Sequence, residues 1–185
     1  MIKTKTLICK SLGDDLSGVE LTEDHIKAPK DNEVLIKVKA ASVNFPDLLM
    51  TQGKYQHKPE LPFGLGMEGA GIVQSIGEKV SKVKEGDEIT FGALGKGAFT
   101  ELICVSENSV EIKPSNLSFE QAAAFQTAYL TAYVSLVRRG QLAKGENLLI
   151  HGATGGVGMA AVQLGKYLGA KVIATGTSEE KLKET

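Results

Sequence analysis

Residues 147–176 read NLLIHGATGGVGMAAVQLGKYLGAKVIATG, and the fold is decided there. NLLIH is a short apolar run of strand length. The glycine-rich turn at 152–158 follows it. Residues 159–168 are then apolar at helical spacing, and AKVIAT is a second strand-like run. Strand, glycine turn, helix and strand in that order make one βαβ unit, the opening of a parallel, doubly wound sheet.

A dinucleotide-binding turn uses glycine for three purposes: a tight turn off the strand, approach of the backbone to the pyrophosphate, and close packing of the next helix on the sheet. The pyrophosphate then meets the free N–H groups and positive dipole end of that helix. Ala153, Thr154, Gly155, Gly156, Val157 and Gly158 occupy this position, with alanine at the first site of the motif. A bare strand-to-helix turn without ligand is the alternative, and the strand-before, helix-after context favours a nucleotide. Folds selective for NAD place an acid about 20 residues further on, at the end of the second strand. Here that point is Gly176 in ATGTSEEKL. Thr177 and Ser178 with Lys181 could receive a 2′-phosphate, so NADPH is the expected cofactor. Glu179 and Glu180 argue the other way, and Lys181 alone reads equally as a solvated helix lysine.

The remainder of the 185 residues has a different texture. Residues 34–40, VLIKVKA, alternate like a half-buried strand, and 70–75, 88–91 and 99–105 carry β-branched or aromatic residues between turn signals. A short helix is expected near 47–51. Ser118 with Gln121 forms a capping box, after which residues 121–139 run without proline or glycine to Gly140, a helical region broken at most once. Domains are expected at 1–117 and 118–185.

Hydrophobic residues make 42% of the chain and charged residues 23%, with a net charge of -1. The small net charge speaks against nucleic acid, and the lack of a long apolar run against a membrane span. No signal-peptide run follows MIKTKTLICK, so the chain reads as soluble and cytoplasmic. Cys9 and Cys104 are too far apart for a paired-cysteine zinc site and read as small buried apolar residues. His25 and His57 sit in polar, loop-like stretches, and Tyr129 and Tyr133 fall four apart, as core residues of a helix do. His151 closes the first strand of the βαβ unit and reads as a packing residue or a cofactor neighbour.

A second glycine-rich run, PFGLGMEGAGIV at 62–73, leads into a strand, so no helix terminus faces an anion. Its glycines read as tight backbone passage around Met67 and Glu68.

The order of these segments resembles the medium-chain dehydrogenase/reductase superfamily, most closely its zinc-independent quinone oxidoreductase branch. ASVNFPDLLMTQGKY, LPFGLGMEGAGIVQSIGEKV, KEGDEI, GAFTEL, FQTAYLTAY and LLIHGATGGVGMAAVQLGKYLGAKVIAT carry the likeness, the last most specifically. It implies an α/β protein: a GroES-like β-rich catalytic domain, then the first part of a Rossmann doubly wound parallel sheet. Zinc-dependent relatives place histidine and cysteines where this chain has Met67, Asn44 and Thr127, a set that does not suit zinc, so no metal is expected. Glu68 reads as a structural carboxylate.

The resemblance implies hydride transfer from NADPH to a quinone or an α,β-unsaturated carbonyl, with hydrogen-bond donors stabilising the developing oxyanion. Asn44 and Tyr55 are the candidate donors and Thr127 the nicotinamide neighbour. Asn44 reads equally as the cap of the short helix, and Tyr55 as a loop aromatic. An enoyl-thioester reductase and a non-catalytic nucleotide-binding fragment are the rival readings. The family continues beyond the βαβ unit, so the chain is expected to be a fragment of a longer enzyme or to be completed by a partner, the full-length parent being a homodimer.

Overall fold

The structure, a computed structural model, describes residues 1–183. It divides into two compact units, Met1–Ala124 and the residues from Phe125 onward. The first contains β1 (Ile2–Cys9), β2 (Val19–Ile26), β3 (Glu33–Ala41), α1 (Phe45–Thr51), β4 (Phe63–Gly64), β5 (Glu68–Ile76), β6 (Glu88–Gly92), β7 (Leu102–Ser106), β8 (Val110–Ile112) and α2 (Phe119–Ala123). The second contains α3 (Gln126–Tyr133), which runs into a π-helical turn (Val134–Arg139), then β9 (Asn147–His151), α4 (Gly156–Tyr167), β10 (Lys171–Thr175) and α5 (Glu179–Lys183).

The first unit is built on an antiparallel sheet in the order β7-β3-β5-β6-β8, beside a smaller sheet β2-β1-β4. Alternation in β3 sends Val34 and Ile36, both fully buried, into a core with Val73, Ile89, Phe91 and Val105. Each such side chain stabilises the unit by about 1.5–3 kcal/mol. A second cluster of Cys9, Met50, Phe63 and Leu65 forms where α1 meets β1 and β4. α2 stays with this unit because Ala122 and Ala123 pack on Ala70 with Leu117 and Phe119. The division between the units therefore falls after Ala124, later than residue 117.

Ser118 caps α2 as its spacing foretells: its hydroxyl accepts from the Gln121 N–H at 3.2 Å, and Gln121 Oε1 accepts from the Ser118 N–H at 2.9 Å. The helical region breaks once, between α2 and α3. Residues 99–101 lie outside any strand. Their backbone bonds instead go across to β1 and Leu65, with Leu7 N–H donating to Phe99 and Phe99 N–H to Leu65.

In the second unit β9 and β10 pair in parallel, from Asn147 opposite Lys171 to His151 opposite Thr175. One face of the pair, Leu148, Ile150, Val172 and Ala174, packs with Ala160, Ala161 and Val162 of α4. The other carries Leu149 at 53% and Ile173 at 52% exposure. Tyr129 of α3 stacks on Phe125, 4.5 Å between ring centroids, and its hydroxyl donates to Gln163 of α4. Tyr133 is 42% exposed rather than core, because the helix turns its far side to solvent.

Candidate functional site

The residues that the sequence singles out fall into two groups, one in each unit. In the first unit, Ser42 and Asn44 stand two residues apart in the short link between the end of β3 at Ala41 and α1. They project together, toward Glu68 at the start of β5. Ser42 Oγ donates to Glu68 Oε1 at 2.5 Å, and Asn44 Nδ2 donates to Ser42 Oγ at 2.9 Å and to Glu68 Oε1 at 3.0 Å. Glu68 is only 2% exposed, so side-chain donors solvate its carboxylate inside the unit.

Asn44 is also the N-cap residue of α1, with extended φ and ψ of −115° and 153°. Its backbone N–H donates to Asp47 Oδ2 at 2.8 Å, the return half of a capping box. The forward half is incomplete: the Asn44 side-chain oxygen lies toward the Asp47 N–H, but that N–H bonds to the Asn44 backbone carbonyl at 3.0 Å. The amide N–H groups of Asn44 are therefore engaged by Ser42 and Glu68.

Asp47 is 4% exposed, and its Oδ1 is a buried oxygen without a hydrogen bond. Burial raises its carboxyl above the ordinary range and the charge of Glu68 adds to this. The Asn44, Gly66 and Met67 N–H groups work in the opposite direction, though none reaches Oδ1 in bonding geometry. Ser42 and Asp47 are the members of this cluster that motif reading passes over. For Ser42 the usable signal was its two-residue spacing from Asn44.

Met67 and Tyr55 are half-buried and join the cluster around Met50, Phe63 and Leu65. Tyr55 thus contributes packing through its ring, and its hydroxyl makes no hydrogen bond to the described residues. The turn before Glu68 is possible because Gly66 adopts φ +99°, and a Cβ there would stand 2.8 Å from the Phe99 backbone N and 2.9 Å from that of Ala98. Among the described residues no three His, Cys, Asp or Glu side chains converge as a metal site. Cys9 is buried, whereas Cys104 is half-exposed, its Sγ 3.8 Å from the Lys27 carbonyl. His25 lies in β2 rather than a loop, exposed because that strand is solvated along most of its length.

In the second unit Ala153 is fully buried under the turn, its N–H donating to the Thr175 carbonyl at 2.9 Å. α4 then starts from Gly155 at φ −84° and ψ 166°, which gives the first-turn N–H groups no side-chain cap. A Cβ on Gly158 would meet the Gly152 carbonyl oxygen at 2.2 Å, so this glycine is demanded by helix-on-turn packing. A Cβ on Gly155 would meet only that oxygen, at 3.5 Å, and one on Gly156 nothing within 4 Å. Backbone and space at 155–156 are thus open to an approaching group. Val157 is 43% exposed.

After β10 the chain passes close to the turn, and a Cβ on Gly176 would come 3.3 Å from Thr154 Cγ2. Thr177 is exposed, and Ser178 Oγ accepts from the Lys181 N–H at 3.4 Å as the cap of α5. Lys181 is exposed on that helix. Thr127 lies on α3, its carbonyl accepting from Thr131 Oγ1 at 2.6 Å.

An antiparallel β-rich unit and a βαβ unit with an open glycine turn define a two-part chain of the dehydrogenase kind. Residues 30–115 match the alcohol dehydrogenase GroES-like domain. The chain is 41% identical over 155 residues to the quinone oxidoreductase of Sus scrofa, which covers 84% of this chain and 47% of the relative. Among solved structures it resembles a human synaptic vesicle membrane protein VAT-1 homolog-like protein (TM-score 0.92, 32% identity), over 99% of this chain and 60% of that one. It also resembles the quinone oxidoreductase of Thermus thermophilus, solved with and without NADPH (TM-score 0.83, 33% identity), over 96% and 55%. The chain belongs to the medium-chain dehydrogenase/reductase superfamily, in its quinone oxidoreductase branch. It spans about half the length of the curated relatives it matches. No helix among the described residues is long and apolar enough to cross a membrane.

Proposed function

We propose that this chain contributes the nucleotide turn and the β-rich unit of a zinc-independent, NADPH-dependent oxidoreductase that passes hydride to quinones or α,β-unsaturated carbonyls. The observation that carries the reading is the glycine turn between β9 and α4, where one glycine is required by packing and the two before it leave space. The names of the relatives support the quinone assignment, and the Thermus structure supports NADPH.

Thr154, Gly155, Gly156 and Val157 hold the pyrophosphate in this proposal, with buried Ala153 and close-packed Gly158 shaping the turn beneath them. Thr177, Ser178 and Lys181 receive the 2′-phosphate, and Thr127 lies at the nicotinamide. NADPH, when bound, supplies the hydride. In the first unit Tyr55 offers its hydroxyl to the carbonyl oxygen of the substrate. Asn44, whose amide is held by Ser42 and Glu68, gives that region a fixed polar wall. The small-molecule substrate and a homodimer of the whole protein belong to the same proposal.

The test is titration of the purified chain with NADPH and NADH, followed by nicotinamide fluorescence, and then turnover on 1,4-benzoquinone. Saturable binding that favours NADPH is expected; a folded chain that binds neither nucleotide contradicts the reading. Turnover on an enoyl-thioester but not on quinones would reassign the substrate. In a form that turns over, Tyr55→Phe should lower kcat about tenfold or more with NADPH affinity unchanged, the scale of one lost transition-state donor. Equal kcat would remove Tyr55 from the chemistry.

A further inference from the structure

His151 is the last residue of β9 and Thr175 the last of β10, and the two stand opposite each other in the parallel register. Both fall on the sheet face away from α4, since Ile150 and Ala174 beside them pack on that helix. His151 is exposed, and its Nδ1 lies 2.9 Å from Thr175 Oγ1. That hydroxyl has one hydrogen, which it donates to the Ile150 carbonyl at 3.3 Å. When the hydroxyl donates to that carbonyl it accepts from the imidazole, and the ring hydrogen is then on Nδ1. A neutral histidine with its hydrogen on Nδ1 presents a lone pair at Nε2.

The place of that lone pair gives it meaning. In open α/β sheets ligands bind outside the carboxyl ends of the strands, and NAD-binding folds use an acid there to accept a ribose hydroxyl. This chain has no acid at the end of its second strand, where Gly176 stands. The His151–Thr175 pair spans the carboxyl ends of both strands, directly before the glycine turn. We infer that His151 Nε2, oriented by Thr175, accepts a hydrogen bond from a free ribose hydroxyl of the bound nucleotide, which on the adenosine side of NADPH is the 3′-OH, and so supplies an acceptor at this end of the sheet without a carboxylate's charge. An uncharged acceptor does not repel a 2′-phosphate, as a carboxylate would. His151 is the binding residue and Thr175 the positioning residue, and the inference rests on the nucleotide reading given under Proposed function.

The test is titration of NADPH, and of 2′,5′-ADP as an adenosine-only probe, into the parent chain and into His151→Phe, His151→Asn and Thr175→Val, with thermal unfolding measured alongside. His151→Phe should bind NADPH roughly three- to tenfold more weakly, the scale of one hydrogen bond. His151→Asn keeps a donor for Thr175 but does not reach the Nε2 position, so it should lose as much. Thr175→Val releases the tautomer and should lose about two- to threefold. A matching loss for 2′,5′-ADP assigns the adenosine ribose, and a loss for NADPH alone assigns the nicotinamide ribose. NADPH binding by all three variants within twofold of the parent overturns the inference, as does a loss confined to variants that unfold at lower temperature. A parent chain that binds no NADPH removes the nucleotide reading, and this inference with it.

Discussion

The two glycine-rich turns of this chain, at 62–73 and 151–158, look alike as composition and differ in what comes next. The first leads into β5, so its glycines let backbones pass and set Glu68 into the interior, where Ser42 and Asn44 receive it. The second leads into α4, whose uncapped first turn faces open space beside Gly155 and Gly156. The element that follows a glycine run, rather than the glycines, decides whether it shapes a protein interior or a ligand cradle.

The comparison can be broken by substitution. The largest effect is expected from Gly158→Val, whose side chain would be driven into the Gly152 carbonyl oxygen. Chemical denaturation should show the second unit destabilised by about 3 kcal/mol, with nucleotide binding abolished. Gly66→Ala should cost about 2 kcal/mol, because φ +99° is strained for alanine and the Phe99 backbone stands in the way. That loss should fall on the first unit, with the NADPH affinity of the second unchanged. If Gly66→Ala also abolishes NADPH binding while the second unit stays folded, the division of labour between the turns is wrong.

A finer probe is Asp47. Its carboxyl is raised in the folded state, chiefly by burial, so the stability it contributes is present below the ordinary carboxylate range near pH 4. That stability is lost as pH rises through the raised folded value. Denaturation of the parent chain should therefore show the first unit weakening with pH across that window. Asp47→Asn, which keeps an acceptor for the Asn44 N–H, should flatten the slope. An unchanged slope would mean that another group titrates there.

The parts of this fold that were legible in the sequence are those set by neighbours along the chain. The βαβ unit, the Ser118–Gln121 capping box and the strand at β3 depend on local spacing and were read from it. What escaped depends on partners distant in sequence. β2 is solvated along most of its length and shows no clean alternation, so His25 read as a loop residue until β1 paired with it. Residues 99–101 have strand-like composition but are held by β1 and Leu65 in an irregular path. The polar triangle of Ser42, Asn44 and Glu68 joins residues 24 and 26 positions apart, and only the pairing of β3 with β5 brings them together. The position of His151 was plain from the sequence; its bond to Thr175 required the parallel register.

The most direct test of the central claim is the smallest perturbation of the fold: Gly155→Ala, read by denaturation and by NADPH titration together. A Cβ at Gly155 meets only ordinary van der Waals contact within the protein, so stability should change by less than about 1 kcal/mol. If the turn is a pyrophosphate cradle, the added methyl stands where the ligand approaches, and NADPH affinity should fall at least about tenfold. Parent and variant binding NADPH equally, at equal stability, would show that the glycine turn is a structural corner and would contradict the account.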